Sequence, residues 1–198
     1  MPHAHARRAW LLPAPSLVQL GFALARLAIV GLIAIGVSGG IAAIFGAAFG
    51  KSFVAGDRPG VSYTRDRCAD YFEYAPGAKT CEEAATIHHF GETVQYPMSA
   101  GLLGVLGLGV YGAVRRRLRG DPNALPQGFE ATVGTAMFGV AAAALLATAL
   151  NQFVVRETAG VGAPLAEGIV AAVTFVIYGV TLYRTLLRRA TTPRPDPS

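Results

Sequence analysis

The sequence predicts an all-α integral membrane protein in which four transmembrane helices form a bundle. Its 198 residues are 53% hydrophobic and only 15% charged, which is too apolar for an ordinary soluble domain. The charged residues also leave four apolar stretches, each close to the ~20 helical residues that cross a hydrocarbon core of ~30 Å. Both cysteines, Cys68 and Cys81, lie between the first two stretches. We therefore expect a disulfide-closed extracytoplasmic loop between helices 1 and 2.

The predicted segments follow one another along the chain as cytoplasmic, membrane and extracytoplasmic parts. Glu167 is the one acid inside the fourth span. The segments are a cytoplasmic N-terminus with an interfacial part (1–26), the first span (27–50), the extracytoplasmic loop with the disulfide and the start of a helix (51–92), the second span (93–114), a basic cytoplasmic loop (115–129), the third span (130–155), a short extracytoplasmic loop (156–163), the fourth span (164–185) and a disordered cytoplasmic tail (186–198).

Orientation is predicted by the arginines, because Lys and Arg in short flanking segments stay on the cytoplasmic side. They cluster before span one, between spans two and three, and after span four: Arg7, Arg8, Arg26, Arg115, Arg116, Arg117, Arg119, Arg184, Arg188, Arg189 and Arg194. We expect a multi-pass protein of the plasma (inner) membrane with both termini cytoplasmic. The net charge of +5 is then a topology signal, and no nucleic-acid partner is expected.

Span one is rich in glycine at four-residue spacing, as in Gly36/Gly40 and Gly46/Gly50. Span two is also rich in glycine. Small residues at such spacing let helices approach closely, either within one chain, between two copies of it, or with other membrane proteins. An alternative is that Ser38-Gly39-Gly40 breaks the helix and exposes carbonyls to an ion. Before this span, we expect either a bend near Gly21 or an interfacial first part, because one straight helix would be about 50 Å long.

The loop between spans one and two contains two local signals. Cys68 and Cys81 flank a Pro-Gly turn, which favours a structural disulfide, worth about 3 kcal/mol in the chain-entropy model. The alternative, a redox pair, lacks the Cys-x-x-Cys spacing that lowers a thiol pKa. Thr80-x-x-Glu83 is a capping-box pattern, so a helix is expected to start at Cys81. Pro97 inside that helix predicts a kink near the interface.

The candidate site residues begin on this helix. His88, Glu92 and Gln95 fall at i, i+4 and i+7, which is one polar stripe that enters the membrane, and His89 widens it. His88 and Glu92 are candidate metal ligands, because an imidazole and a carboxylate one turn apart can bind one ion. The stripe is equally compatible with a proton or polar-ligand pathway, or with a solvated helix entrance.

Three further candidates lie on the other spans at a similar depth. Glu167 is an acid within an apolar span, which is a functional candidate by default. Its structural alternative is an acid in the first turn after Pro164, where a carboxylate offsets the helix dipole. Asn151 and Gln152 end span three. A bundle is expected to turn these groups toward His88 and Glu92, because unpaired polar groups in hydrocarbon are costly.

No enzyme signature is present in the sequence. The His-Glu-x-x-His and Gly-x-Ser-x-Gly motifs are absent, and no histidine lies mid-span to bind haem, so a metal ion is the one cofactor considered. The layout resembles that of tetraspan proteins such as claudins, but the claudin sequence motif is absent and no family follows.

Three functions remain open at this point. The first is a non-enzymatic accessory or interaction subunit whose outer loop contacts a partner through Tyr71, Phe72 and Tyr74. The second is a small transporter or ion-responsive protein with a polar site at the outer membrane face. The third is a metal-dependent membrane hydrolase centred on His88 and Glu92.

Overall fold

The computed structural model describes residues 17–56, 65–117, 126–155 and 158–191, and these ranges are helical apart from short turns. The described helices are α1 (Leu17–Phe49), α2 (Lys51–Ala55), α3 (Arg65–Tyr74), α4 (Cys81–Arg117), α5 (Pro126–Val154) and α6 (Gly162–Thr191). Helices α1, α4, α5 and α6 are long and apolar enough to cross a membrane. The predictions of an all-α class and of four helices long and apolar enough to cross a membrane are therefore confirmed for the described residues.

Helix α1 is the centre of the packing. It packs on α4 along one side and on α5 and α6 along another, while α5 and α6 form the most extensive helix pair of the described chain. Helix α4 does not pack extensively on α5 or α6. We call the end of the long helices that carries α2 and α3 the loop end, and the opposite end, with Arg26, the arginine end.

Glycines set the distance between α1 and α4. Gly36 lies so close to Gly101 that a methyl group on either would overlap the other's Cα atom, and a methyl on Gly104 would come within 2.9 Å of Ile33. Small residues drive helix association in lipid in this way, because packing replaces the missing hydrophobic force. Helix α1 is continuous through Ser38, whose hydroxyl donates to the carbonyl of Ile35 at 2.7 Å. The close packing expected from the glycines is therefore present, and the alternative of a helix break at Ser38-Gly39-Gly40 is not.

Two helix ends differ from the sequence-based expectation. Helix α1 already begins at Leu17, so the expected interfacial part is the first two turns of the same helix from that residue onward. Helix α6 continues to Thr191, into the segment expected to be disordered, because the first proline beyond it is Pro193. The remaining residues of the predicted tail and most of the basic loop, 118–125, lie outside the described residues.

The loop end contains two short helices that the sequence did not predict. Helix α2 lies between Gly50 and Gly56, whose φ angles of 97° and 81° favour glycine. Its Val54 is buried with Ala42 and Ala166, in a small core that joins α1, α2 and α6. Helix α3 packs on α4, so the loop between the first two spans is folded onto the bundle in the described part of the chain.

The predicted disulfide and capping box are confirmed. Cys68 of α3 is bonded to Cys81 at the start of α4, with Cα atoms 5.5 Å apart. The amide of Glu83 donates to the Thr80 hydroxyl at 3.1 Å, and the Glu83 carboxylate accepts from the amide of Lys79 at 2.7 Å. Helix α4 consequently begins at Cys81, as its sequence predicts, and the disulfide fixes α3 to its first turn.

Candidate functional site

The first turns of α4 bring two imidazoles and one carboxylate together at the loop end. His89 Nδ1 lies 3.2 Å from Glu92 Oε2, and His88 Nδ1 lies 3.8 Å from the same oxygen. One ligand atom from each of the three residues falls within 4.8 Å of the others. The i, i+4 pair predicted from the sequence therefore meets, and His89 joins it from the neighbouring position. We call His88, His89 and Glu92 the histidine cluster.

Helix α3 covers one side of the histidine cluster. The rings of Tyr71 and Tyr74 lie 5.4 and 4.9 Å from the His88 ring, measured between centroids. Because the disulfide fixes α3 to the start of α4, these tyrosines are held over His88. Asp70 and Glu73 of α3 line the same open cavity of about 340 Å³ as His88. Two more carboxylates are thus within the neighbourhood of the cluster.

The His88 ring has an unpaired nitrogen. Its Nδ1 atom is inaccessible to water and has no hydrogen-bond partner among the described residues. An unsatisfied buried polar atom costs about 1–3 kcal/mol, so a ligand that pairs with this nitrogen would be stabilising. Glu92 lies too far from it, at 3.8 Å, for a hydrogen bond. A cation or a protonated group that binds at the His88 Nδ1 atom would therefore supply its missing partner.

The donor set matches a divalent transition metal. Imidazole nitrogens suit zinc, copper, iron and nickel, and a carboxylate oxygen completes common zinc sites. Ligands bound about 2.0 Å from one zinc ion at tetrahedral angles are about 3.3 Å apart. The Nδ1–Oε2 distances of 3.2 and 3.8 Å are close to that value. The ligand atoms of all three residues lie within 4.8 Å of one another, which is a spacing that one ion can bridge after side-chain adjustment.

The remaining predicted site residues are only partly brought together. Gln95 is exposed one turn beyond Glu92, and its carbonyl accepts a hydrogen bond from Ser99 at 2.9 Å. Asn151 is exposed on α5, and the Gln152 Oε1 atom is buried without a hydrogen-bond partner in the described chain. None of the described hydrogen bonds joins either amide to the histidine cluster. The predicted contact between these amides and α4 stays a prediction.

Glu167 lies nearer to α4 than the two amides do. It lines a narrow crevice with Ser38 of α1 and with Thr93 and Pro97 of α4. Thr93 follows His89 by one helical turn and donates its hydroxyl to the His89 carbonyl at 2.8 Å. The crevice therefore begins next to the histidine cluster. Glu167 is nevertheless exposed, and no ion pair involving it occurs within the described ranges. It is a neighbour of the histidine cluster rather than a member.

A second polar group, which the sequence did not indicate, lies at the arginine end. Glu130 of α5 is only 4% exposed. Its Oε1 atom pairs with Arg26 Nε at 3.2 Å and lies 3.4 Å from the Tyr178 hydroxyl. We call Arg26, Glu130 and Tyr178 the arginine-end triad. It joins α1, α5 and α6 at one point.

An apolar groove runs from this triad between α1 and α6. Its volume is about 560 Å³, and it is open on one side. The α1 wall includes Val30, Ile33, Ala34, Val37 and Ile41, and the α6 wall includes Ile169, Val170, Val173 and Ile177. Sequence reasoning missed the groove because it depends on how α1 and α6 are rotated about their axes.

The two polar groups, one at each end of the helices, are the features that carry chemistry. No protein-family model, no curated protein and no solved structure matches this chain.

Proposed function

We propose that this chain is an ion-responsive protein of the plasma membrane that binds a divalent transition-metal ion at its outer face. The observation that supports this is the histidine cluster, in which two imidazoles and a carboxylate offer ligand atoms within 4.8 Å of one another. The buried His88 Nδ1 atom, which has no hydrogen-bond partner among the described residues, also supports the proposal. Together with the positive-inside pattern of the arginines, which assigns the loop end to the outside, this makes the ion extracytoplasmic.

The response we propose is a change in how α3 sits on α4. Binding draws His88, His89 and Glu92 toward one ion, and His88 is the residue against which Tyr71 and Tyr74 pack. A zinc ion bound by three protein groups retains a fourth position. Asp70 or Glu73 of α3 can fill that position from the cavity they share with His88. The metal would then hold α3 in one arrangement.

Zinc titration of the detergent-solubilised protein tests this proposal. We expect saturable binding of one Zn²⁺ per chain and a rise in the thermal unfolding midpoint, because an ion that binds only the folded state stabilises it. His89→Ala and Glu92→Gln should each weaken binding about tenfold or more, since each removes one of three ligands. Isothermal titration calorimetry gives the stoichiometry and the affinity.

Gln95→Ala is the matched control, because Gln95 is exposed one turn away on the same helix and contributes no ligand atom to the cluster. It should bind zinc like the parent protein. Equal affinities for the parent, His89→Ala and Glu92→Gln would refute the site. Zinc-dependent cleavage of a peptide or phosphoester substrate would instead favour the metal-dependent hydrolase.

A second candidate function is the accessory or interaction subunit, and the packing of α4 favours it. Of the four long helices, α4 has the smallest buried share, since its extensive contacts in the described chain are with α1, α2 and α3. Leu102, Leu106 and Val110 on this helix are about two-thirds exposed (68%, 67% and 65%). Tyr74 on the loop is similarly exposed, at 68%. Co-purification of a second membrane protein that Leu106→Trp releases would support this role, and a monomer with no companion would oppose it.

A further inference from the structure

We infer that the groove between α1 and α6 binds one phospholipid, with an acyl chain along the groove and the phosphate on Arg26. This lipid site is separate from the metal site proposed at the loop end and does not depend on it. Three features of the groove support it: its length, its polarity along that length, and the depth of the arginine at its end.

The groove is longer than the hydrocarbon of one leaflet is deep. Its α1 wall runs from Arg26 to Ile41, which is about 22 Å of helix. One leaflet of a bilayer contributes about half of the ~30 Å hydrocarbon core. An acyl chain that starts at the Arg26 end can therefore lie within the groove along its whole depth in that leaflet.

The wall of the groove requires no polar partner along this length. Thr174 and Thr181 are polar residues of the α6 wall, and their hydroxyls donate to the carbonyls of Val170 and Ile177, each at 2.8 Å. The other wall residues between the ends are apolar. Hydrocarbon is the chemistry that fits such a surface, because a polar ligand would lose its hydrogen bonds to water there.

The length of α1 is compatible with Arg26 at the depth of lipid phosphates. Arg26 precedes Phe49, the last residue of α1, by about 35 Å of helix, slightly more than the ~30 Å hydrocarbon core. Both Arg26 and Glu130 line the groove, but the Arg26 side chain is 45% exposed and that of Glu130 only 5%, so the cation is the more accessible of the two. The ion pair uses Nε, and a guanidinium has four further N–H donors in a fork that matches phosphate.

A lipid fits this space better than a helix of a second protein does. A helix about 10 Å wide and 22 Å long occupies about 1,700 Å³. The groove offers about 560 Å³. A whole helix therefore does not fit inside the groove, whereas a flexible hydrocarbon chain can enter it.

Native mass spectrometry of the full-length protein, released from detergent after extensive washing, tests the site. The probes are a phosphatidylglycerol and a diacylglycerol with the same acyl chains. We expect one retained phosphatidylglycerol per chain and about tenfold weaker retention of the diacylglycerol, because only the phosphate can take charge-assisted hydrogen bonds from Arg26.

Two variants test the two parts of the site, the phosphate-binding arginine and the apolar groove, without leaving a buried charge unpaired. Arg26→Gln combined with Glu130→Gln replaces the ion pair by two neutral amides, so the fold does not retain an unpaired buried acid. Val173→Trp fills the groove from its exposed α6 wall. Each should lose the retained phosphatidylglycerol, and thermal unfolding in detergent should show that both remain folded.

Arg116→Gln is the matched control, because Arg116 is an exposed arginine of the same end on α4, which does not line the groove. It should retain the lipid. Loss of lipid in Arg116→Gln to the same extent would show general charge attraction and overturn the site. Equal retention of the two probes would overturn the role of Arg26, and a lipid-free dimer of the parent protein would show that a second copy covers the groove.

Discussion

Glu130 of α5 and Glu167 of α6 are both acids of apolar helices, and their surroundings differ. Glu130 is almost fully buried and paired with Arg26 and Tyr178, whereas Glu167 is exposed beside a crevice. The sequence singled out Glu167 because it interrupts an apolar stretch. It passed over Glu130, which follows a basic loop. Whether an acid at such a position is buried depends on the facing residues of α1 and α6, and hydropathy along one helix does not contain that information.

Glu130→Leu should therefore destabilise the protein more than Glu167→Leu does. We expect it to lower the free energy of unfolding by about 1–3 kcal/mol, because Arg26 and the Tyr178 hydroxyl both lose their acceptor. Glu167→Leu should change it by less than about 1 kcal/mol, since it breaks no described ion pair. Unfolding midpoints in one detergent compare the two variants. A larger effect of Glu167→Leu would mean that the crevice holds a polar cluster after all.

The histidine cluster shows what sequence spacing can predict at the residue scale. His88 and Glu92 were expected to meet because residues four apart share a helix face, and the helix start that places them follows from the Thr80 cap. His89 was placed only at the edge of the stripe, although it makes the closer contact with Glu92. Its rotamer, and the tyrosines over His88, depend on α3, for which no helix was predicted.

At the scale of elements, the contact between α1 and α4 depends on individual glycines. Gly36 and Gly40 lie one turn apart in α1, yet only Gly36 contacts α4; an added methyl on Gly40 would meet nothing within 4 Å. Gly36→Ala should cost about 1–3 kcal/mol, because it forces the two backbones apart. Gly40→Ala should be neutral or stabilising by up to about 1 kcal/mol through helix propensity.

Chemical unfolding of the two glycine variants in mixed detergent micelles measures the difference. The parent and Gly40→Ala should unfold at similar denaturant fractions, and Gly36→Ala at a lower one. If both alanines act alike, the close approach of Gly36 to Gly101 does not contribute to stability.

The elements themselves were predicted to different degrees. The long helices and the start of α4 follow from apolar length and a capping box, which are local signals. Helix α2 has only five residues, and its ends are set by two glycines with positive φ. Helix α3 is polar and is held by a disulfide and by its packing on α4. Local sequence carries little information about helices that tertiary contacts stabilise.

For the whole molecule, topology is the prediction to test first. The disulfide leaves no free cysteine, so a single introduced cysteine can be labelled without background. An impermeant maleimide should label Glu73→Cys in intact cells. It should label Asn123→Cys, in the basic loop outside the described residues, only after the membrane is opened. Labelling of Asn123→Cys in intact cells would reverse the orientation and place the histidine cluster in the cytoplasm.

The arrangement of the helices was less predictable than their number. Hydropathy gave four membrane-crossing helices, but it assigned no partner to each. Glu167 shares a crevice with α4, whereas the expected contact of Asn151 and Gln152 with α4 stays a prediction. Helix α1 occupies the centre and packs on α4, α5 and α6, which hydropathy along one helix does not indicate.

The pairing of Arg26 with Glu130 also has a consequence for how the protein is made. A ribosome adds about 5–20 residues per second, so Arg26 is synthesised roughly 5–20 s before Glu130. During that interval the nascent first helix carries a cation with no partner acid, and water or lipid phosphate must solvate it. We expect the arrival of the third helix to fix α1 in its final register. A ribosome-stalled chain ending before Glu130 should accordingly leave α1 free to slide along the membrane normal. Crosslinks from Ala25→Cys, an exposed position that keeps Arg26 in place, should reach lipid at several depths in the stalled chain and at one depth once Glu130 has inserted.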